Sequence, residues 1–123
     1  MAAEDRPEVI AQRNFREHRE SLAPLDLGQR FEYIHGRNLW GCEASVSGSG
    51  STMEETANLR AAIPALLKEF GVRSVLDIPC GDFAWLSTVD LGCEYIGADI
   101  VAALVEANRQ RYGRADRGFH AST

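Results

Sequence analysis

Between Val72 and Asp99 the chain carries two short apolar runs, each ending at or next to an aspartate, with a tight turn between them, and few folds accept that pattern. The first run, VRSVLDI, is bounded by Gly71 and Pro79 and reads as a buried strand over Val72 to Ile78. The second, CEYIGAD, ends on Asp99, 22 residues after Asp77. Gly81 marks the intervening turn; a short helix is expected from about Phe83 to Val89, then a turn over Asp90 to Gly92. Downstream, Val101, Leu104, Val105, Asn108 and Tyr112 recur at helical spacing, with Gly113 at the C-cap position. The final GFHAST begins a third strand. Strand, helix, strand, helix, strand predicts a parallel, right-handed layout of class α/β, with function at the carboxyl ends of the strands.

Upstream, Ser51 and Thr52 each stand three residues before a glutamate, Glu54 and Glu55, which is capping-box spacing for a helix start. Leu59, Ile63, Leu66, Leu67 and Phe70 then form an amphipathic stripe expected to pack on a sheet, and Gly71 closes the helix. Pro64 is the misfit. Inside a helix it removes a hydrogen bond at a cost of ~3 kcal/mol, so a kink or break is expected there. At the N-terminus Asp5, Pro7 and Glu8 look like the start of a polar helix, whose thin stripe of Val9, Ile10 and Phe15 would lie over the body of the protein or fray. The stretch from Leu22 to Thr52 mixes aromatics with a Ser/Gly run and reads as short helical or irregular pieces followed by a loop over Ser45 to Ser51.

The chemistry rests on VLDIPCGDF (75–83) and Asp99. In open α/β sheets an acid ending the second strand accepts hydrogen bonds from an adenosine ribose, while a glycine turn after the first strand lets a ligand approach the backbone. Charge then distinguishes among adenosine cofactors. A pyrophosphate needs a glycine-rich helix N-terminus, whereas here Pro79 and Phe83 occupy glycine places and Asp82 puts a carboxylate nearby. A cationic ligand tolerates those acids.

VLDIPCGDF followed by YIGADI resembles motif I and the ribose-binding motif of class I S-adenosylmethionine (SAM) dependent methyltransferases, over roughly residues 72–112. The resemblance implies a Rossmann-like parallel sheet with flanking helices and SAM as cofactor. It implies that Asp77, Cys80 and Gly81 hold the methionine part and that Asp99 holds the ribose, with Ile100 beside the adenine; Asp82, an acid next to the turn, joins the cofactor-binding set. The upstream NLWGCEASVSGSGST is similar to the segment before motif I in a bacterial branch of the family, which adds Trp40 and Ser47 as cover residues. Two units follow: a helical and loop cover segment over 1–50, and the first half of a SAM-binding domain over 51–123. The family sheet has seven strands, so the chain is expected to be truncated after about three, short of a substrate-selecting half. The methyl acceptor and the catalytic residues then stay unknown. The competing reading is an inactive remnant or interaction module, with an exposed sheet edge that invites self-association.

Other classes recede. A net charge of -5 argues against nucleic acid or an anionic membrane as partner. Cys42, Cys80 and Cys93 form no CxxC pair, and His18, His35 and His120 lack ligand spacing, so neither a disulfide framework nor a metal site is expected. No signal peptide or membrane span is legible, and a cytoplasmic setting fits. Plainer roles stand beside the functional ones: Asp77 as a helix cap, Cys80 as a buried filler, Trp40 and Trp85 as core or cover aromatics, Ser45 to Ser51 as a flexible loop.

Overall fold

A computed structural model of the chain describes residues 6–43 and 45–122. Strands β1 (Ser74–Asp77), β2 (Glu94–Asp99) and β3 (Arg117–Ala121) pair in that order, all parallel. Helices α1 (Pro7–Glu17), α2 (Arg19–Leu22), α3 (Leu27–Gly36) and α4 (Ala57–Glu69) precede the sheet, and α5 (Ala102–Tyr112) connects β2 to β3. The chain is therefore α/β, a parallel sheet with flanking helices of Rossmann-like form.

Register decides which side chains meet. Val75 lies opposite Tyr95, and Asp77 lies opposite Gly97, which in turn faces Phe119. Because side chains alternate along a strand, these residues and Asp99 share one face. That face carries the core, in which Phe83, Tyr95, Phe119 and Val105 are almost wholly buried. The ring of Phe83 sits at its centre, with centroids 4.8 Å from Tyr95 and 5.2 Å from both Phe119 and Tyr112.

Phe83 occupies a glycine place in the motif and keeps a glycine conformation, with φ 59°. A left-handed backbone costs a non-glycine residue ~1–2 kcal/mol. Burying a phenylalanine side chain contributes roughly 1.5–3 kcal/mol, enough to offset the strain. The same turn overturns the helix expected from Phe83 to Val89. The Ala84 N–H is taken by Asp82 Oδ1, and only a 3-10 turn, Leu86–Thr88, forms before Val89 returns to extended backbone.

Other boundaries also move. The helix expected from Ser51 or Thr52 starts at Ala57, because Ser51 lies in a 3-10 turn and Thr52 takes the Glu55 N–H within the preceding turn. Pro64 does not break α4, whose neighbouring backbone bonds carry it through. At its end Val72 N–H donates to Leu67 C=O and Gly71 N–H to Lys68 C=O, a Schellman pair made possible by φ 61° at Gly71. The stripe of α4 packs less than expected. Ile63 reaches the core, whereas Leu66 and Phe70 stay 46% and 74% exposed. Likewise β1 is only half covered, since Leu76 points away from the core face and is 65% exposed. Gly113 follows α5 as expected but at φ -61°, so handedness is not its purpose; a Cβ there would stand 2.5 Å from the Arg109 carbonyl oxygen.

The N-terminal segment is more regular than the sequence suggests. A capping box at Asp26 and Gln29 opens α3. Pro7 sits in the first turn of α1 as expected, while the proposed cap at Asp5 lies outside the described residues. Although α1 buries no residue, it is held to the body by Asn14, which donates to the Leu39 carbonyl at 3.0 Å, and by an edge contact between Phe15 and Trp40.

Candidate functional site

The carboxyl ends of β1 and β2 open into a cavity of about 510 Å³. Its floor holds Asp77, Cys80, Gly81 and Asp99; α3 supplies Phe31, Ile34 and His35 across from them. Trp40 and Ser47 close one side and Ile100 another. Among the described residues no lysine or arginine lines it, so its fixed charge is acidic. A volume in this range suits a nucleoside-sized ligand.

The two carboxylates are not equivalent. Asp99 is 5% exposed and both its oxygens are committed: Oδ2 accepts the Gly81 N–H and Oδ1 the Val101 N–H, each at 3.0 Å. It thereby ties the turn after β1 to the start of α5. Asp77 accepts the Tyr95 hydroxyl through Oδ2 at 2.7 Å, while Oδ1 has no partner among the described residues and is not sealed from solvent. Burial pushes the Asp77 carboxyl above its ordinary value; the Tyr95 hydrogen bond opposes this and the Asp99 charge adds to it. Burial and the same two carboxylates push the Cys80 thiol up to about 12, which leaves it protonated and unreactive at neutral pH.

The glycine turn is held from three directions. Gly81 has φ 60°, and a Cβ there would lie 2.5 Å from Ser47 Oγ, so glycine serves both conformation and close approach. Ser47 Oγ accepts the Asp82 N–H at 3.0 Å, and the Ser45 hydroxyl donates to Asp82 Oδ2 at 2.5 Å. From α5, Asn108 donates to the Gly81 carbonyl at 2.8 Å. The Ser45 to Ser51 run is thus a docked segment rather than a free loop. Glu32 of α3 accepts the Ala102 N–H at 2.8 Å, which places a carboxylate on the N-terminus of α5 and fixes the roof to the floor.

Of the residues singled out in the sequence, Asp77, Cys80, Gly81, Asp99, Ile100, Trp40 and Ser47 all line this one cavity. Asp82 does not; its side chain is spent on Ser45 and on the Ala84 N–H. Sequence reasoning missed Tyr95, Gly97, Asn108, Glu32 and His35. A polar Asn108 in the buried stripe of a helix, and a glycine inside a strand at Gly97, were the available signals. A hollow of about 650 Å³ between α1 and Trp40 is larger, but neither strand-end carboxylate lines it. Among the described residues no group of three or more His, Cys, Asp or Glu side chains could hold a metal, and no helix is long and apolar enough to cross a membrane. Compared with protein-family models, with curated proteins and with solved structures, the chain matches none.

Proposed function

We propose that the chain binds SAM at the carboxyl ends of β1 and β2, as the cofactor-binding portion of a methyltransferase whose methyl acceptor is unidentified. The observation that carries this reading is the charge of the cavity: two aspartates face it and no lysine or arginine does. A dinucleotide would bring a pyrophosphate against those acids, whereas SAM brings a sulfonium and an ammonium group. The lining fits in other respects. Asp77 offers an unpartnered oxygen for a cation, Trp40 and Ile100 offer apolar surface for a purine, and Ser47 lies beside the glycine turn. When bound, SAM supplies an activated methyl group; the residues of this chain bind it, orient it and keep water from it. No catalytic base is assigned. Three free thiols fit a reducing, cytoplasmic setting for such an enzyme. Calorimetric titration with SAM, S-adenosylhomocysteine and NAD tests the reading: the first two bind and NAD does not. Binding of NAD, or of none of the three, overturns it.

A second reading, an interaction module without catalysis, is favoured by one observation. Leu66 on α4, Phe70 just after it, Leu76 on β1 and Ile78 just after it are exposed, and β1 is an edge strand among the described residues. A second copy pairing along that edge would cover them. Sedimentation velocity across a concentration series separates the readings, with Leu76→Lys abolishing association if the edge drives it.

A further inference from the structure

Tyr95 lies two residues before Gly97 on the core face of β2, and Gly97 is the register partner of Asp77. The phenol therefore has to pass over position 97 to reach the neighbouring strand. A Cβ at Gly97 would stand 2.9 Å from the Tyr95 hydroxyl, 2.9 Å from Phe119 Cδ1 and 3.0 Å from Cys80 Cβ. Any other residue there would push the hydroxyl away from Asp77. With glycine in place, the 1% exposed Tyr95 spends its one donor on Asp77 Oδ2. A buried phenol without a partner is costly, so this geometry is held firmly.

The other carboxylate is already tied to the backbone. Both Asp99 oxygens already accept backbone N–H groups, whereas Asp77 Oδ1 accepts nothing from the described residues. From these contacts we infer that Tyr95 is a positioning residue: it holds one oxygen of Asp77 and leaves Oδ1 as the atom offered to the cationic end of a ligand, with Gly97 making the reach possible. The ligand half of this inference rests on the SAM reading; the positioning half does not.

The arrangement also sets the pH range over which Asp77 is charged. The groups around it are Asp99 on β2, Cys80 in the turn and Tyr95 itself, with Arg117 of β3 beside Tyr95 and His35 of α3 lining the same cavity. A hydroxyl donating to the carboxylate favours the charged form. Removing it keeps Asp77 protonated to higher pH.

Carbon-13 NMR of the Asp77 carboxyl in the full chain reads this directly. Tyr95→Phe moves the Asp77 titration to higher pH, and global replacement of tyrosine by 3-fluorotyrosine, a stronger donor, moves it lower. An Asp77 titration unmoved by fluorination overturns the positioning role, and that arm stands even where Tyr95→Phe fails to fold. In parallel, SAM affinity is measured against pH. Below the titration, affinity falls about tenfold for each pH unit by which Tyr95→Phe moves Asp77, the gap narrowing as pH rises. A titration that moves while SAM fails to bind the wild-type chain at any pH overturns the ligand half and leaves the positioning intact. A SAM affinity that ignores the Asp77 titration overturns Oδ1 as the cation acceptor.

Discussion

Asp99 accepts the Gly81 N–H through Oδ2 at 3.0 Å, joining the end of β2 to the turn after β1, while its Oδ1 holds the Val101 N–H at the start of α5. One buried side chain thus organises both backbone segments that border the cavity. Asp99→Ala leaves those two donors without their partner, at roughly 1–3 kcal/mol for each unsatisfied group. Urea denaturation is expected to show a loss of more than ~2 kcal/mol, with Asp99→Asn intermediate because one amide oxygen can still accept. An alanine variant as stable as wild type contradicts this role.

Gly81 and Ser47 form a close junction between the cover segment and the turn after β1. Gly81→Ala forces a Cβ to 2.5 Å from Ser47 Oγ and a left-handed φ on alanine. The conformational part alone costs ~1–2 kcal/mol. Adding Ser47→Gly relieves the clash but not the φ penalty, and it removes the acceptor of the Asp82 N–H, so in a double-mutant cycle the two changes together cost less than their sum. Strict additivity of the two changes counts against the contact.

Asp77 gives stability a pH dependence of defined sign. Its folded value is raised above the ordinary 3.8, chiefly by burial. Its stabilising contribution is therefore complete below 3.8 and is lost as pH rises through the folded value. Asparagine does not titrate and can still accept from Tyr95. Thermal unfolding should show Asp77→Asn gaining on wild type as pH rises from 3.8 toward neutrality. A constant difference contradicts the raised value.

The parts of this fold that were legible are those set by local pattern. The strand runs ending at Asp77 and Asp99 and the helical spacing from Val101 to Tyr112 depend on period and turn residues, and β1, β2 and α5 appear where these place them. The parts missed depend on what lies far away in sequence. The Phe83 to Val89 segment follows a strand and a turn, where a helix is expected, but Phe83 takes a left-handed backbone to reach a core built by Tyr95, Phe119 and Tyr112. The start of α4 shifted because Ser51 and Thr52 were drawn into turns of the docked 45–52 segment. For α3, the Asp26 and Gln29 spacing was a cap signal hidden among aromatics.

The site divides the same way. Residues carried by the motif converge on one cavity, because strand ends and the glycine turn are brought together by any parallel pairing of β1 with β2. Asp82 fell outside because its position next to Gly81 says nothing about Ser45, its partner 37 residues earlier. Tyr95 was invisible for a related reason: its reach to Asp77 exists only in the register that sets Gly97 opposite that carboxylate.

A nitrogen-15 NMR titration of the chain with SAM reads binding at the strand ends residue by residue. Shifts are expected at the Asp77, Gly81 and Ile100 amides and at the Trp40 indole, saturating together, and reduced by Asp77→Asn. An unchanged spectrum, or shifts gathered on α1 away from the strand ends, would contradict it.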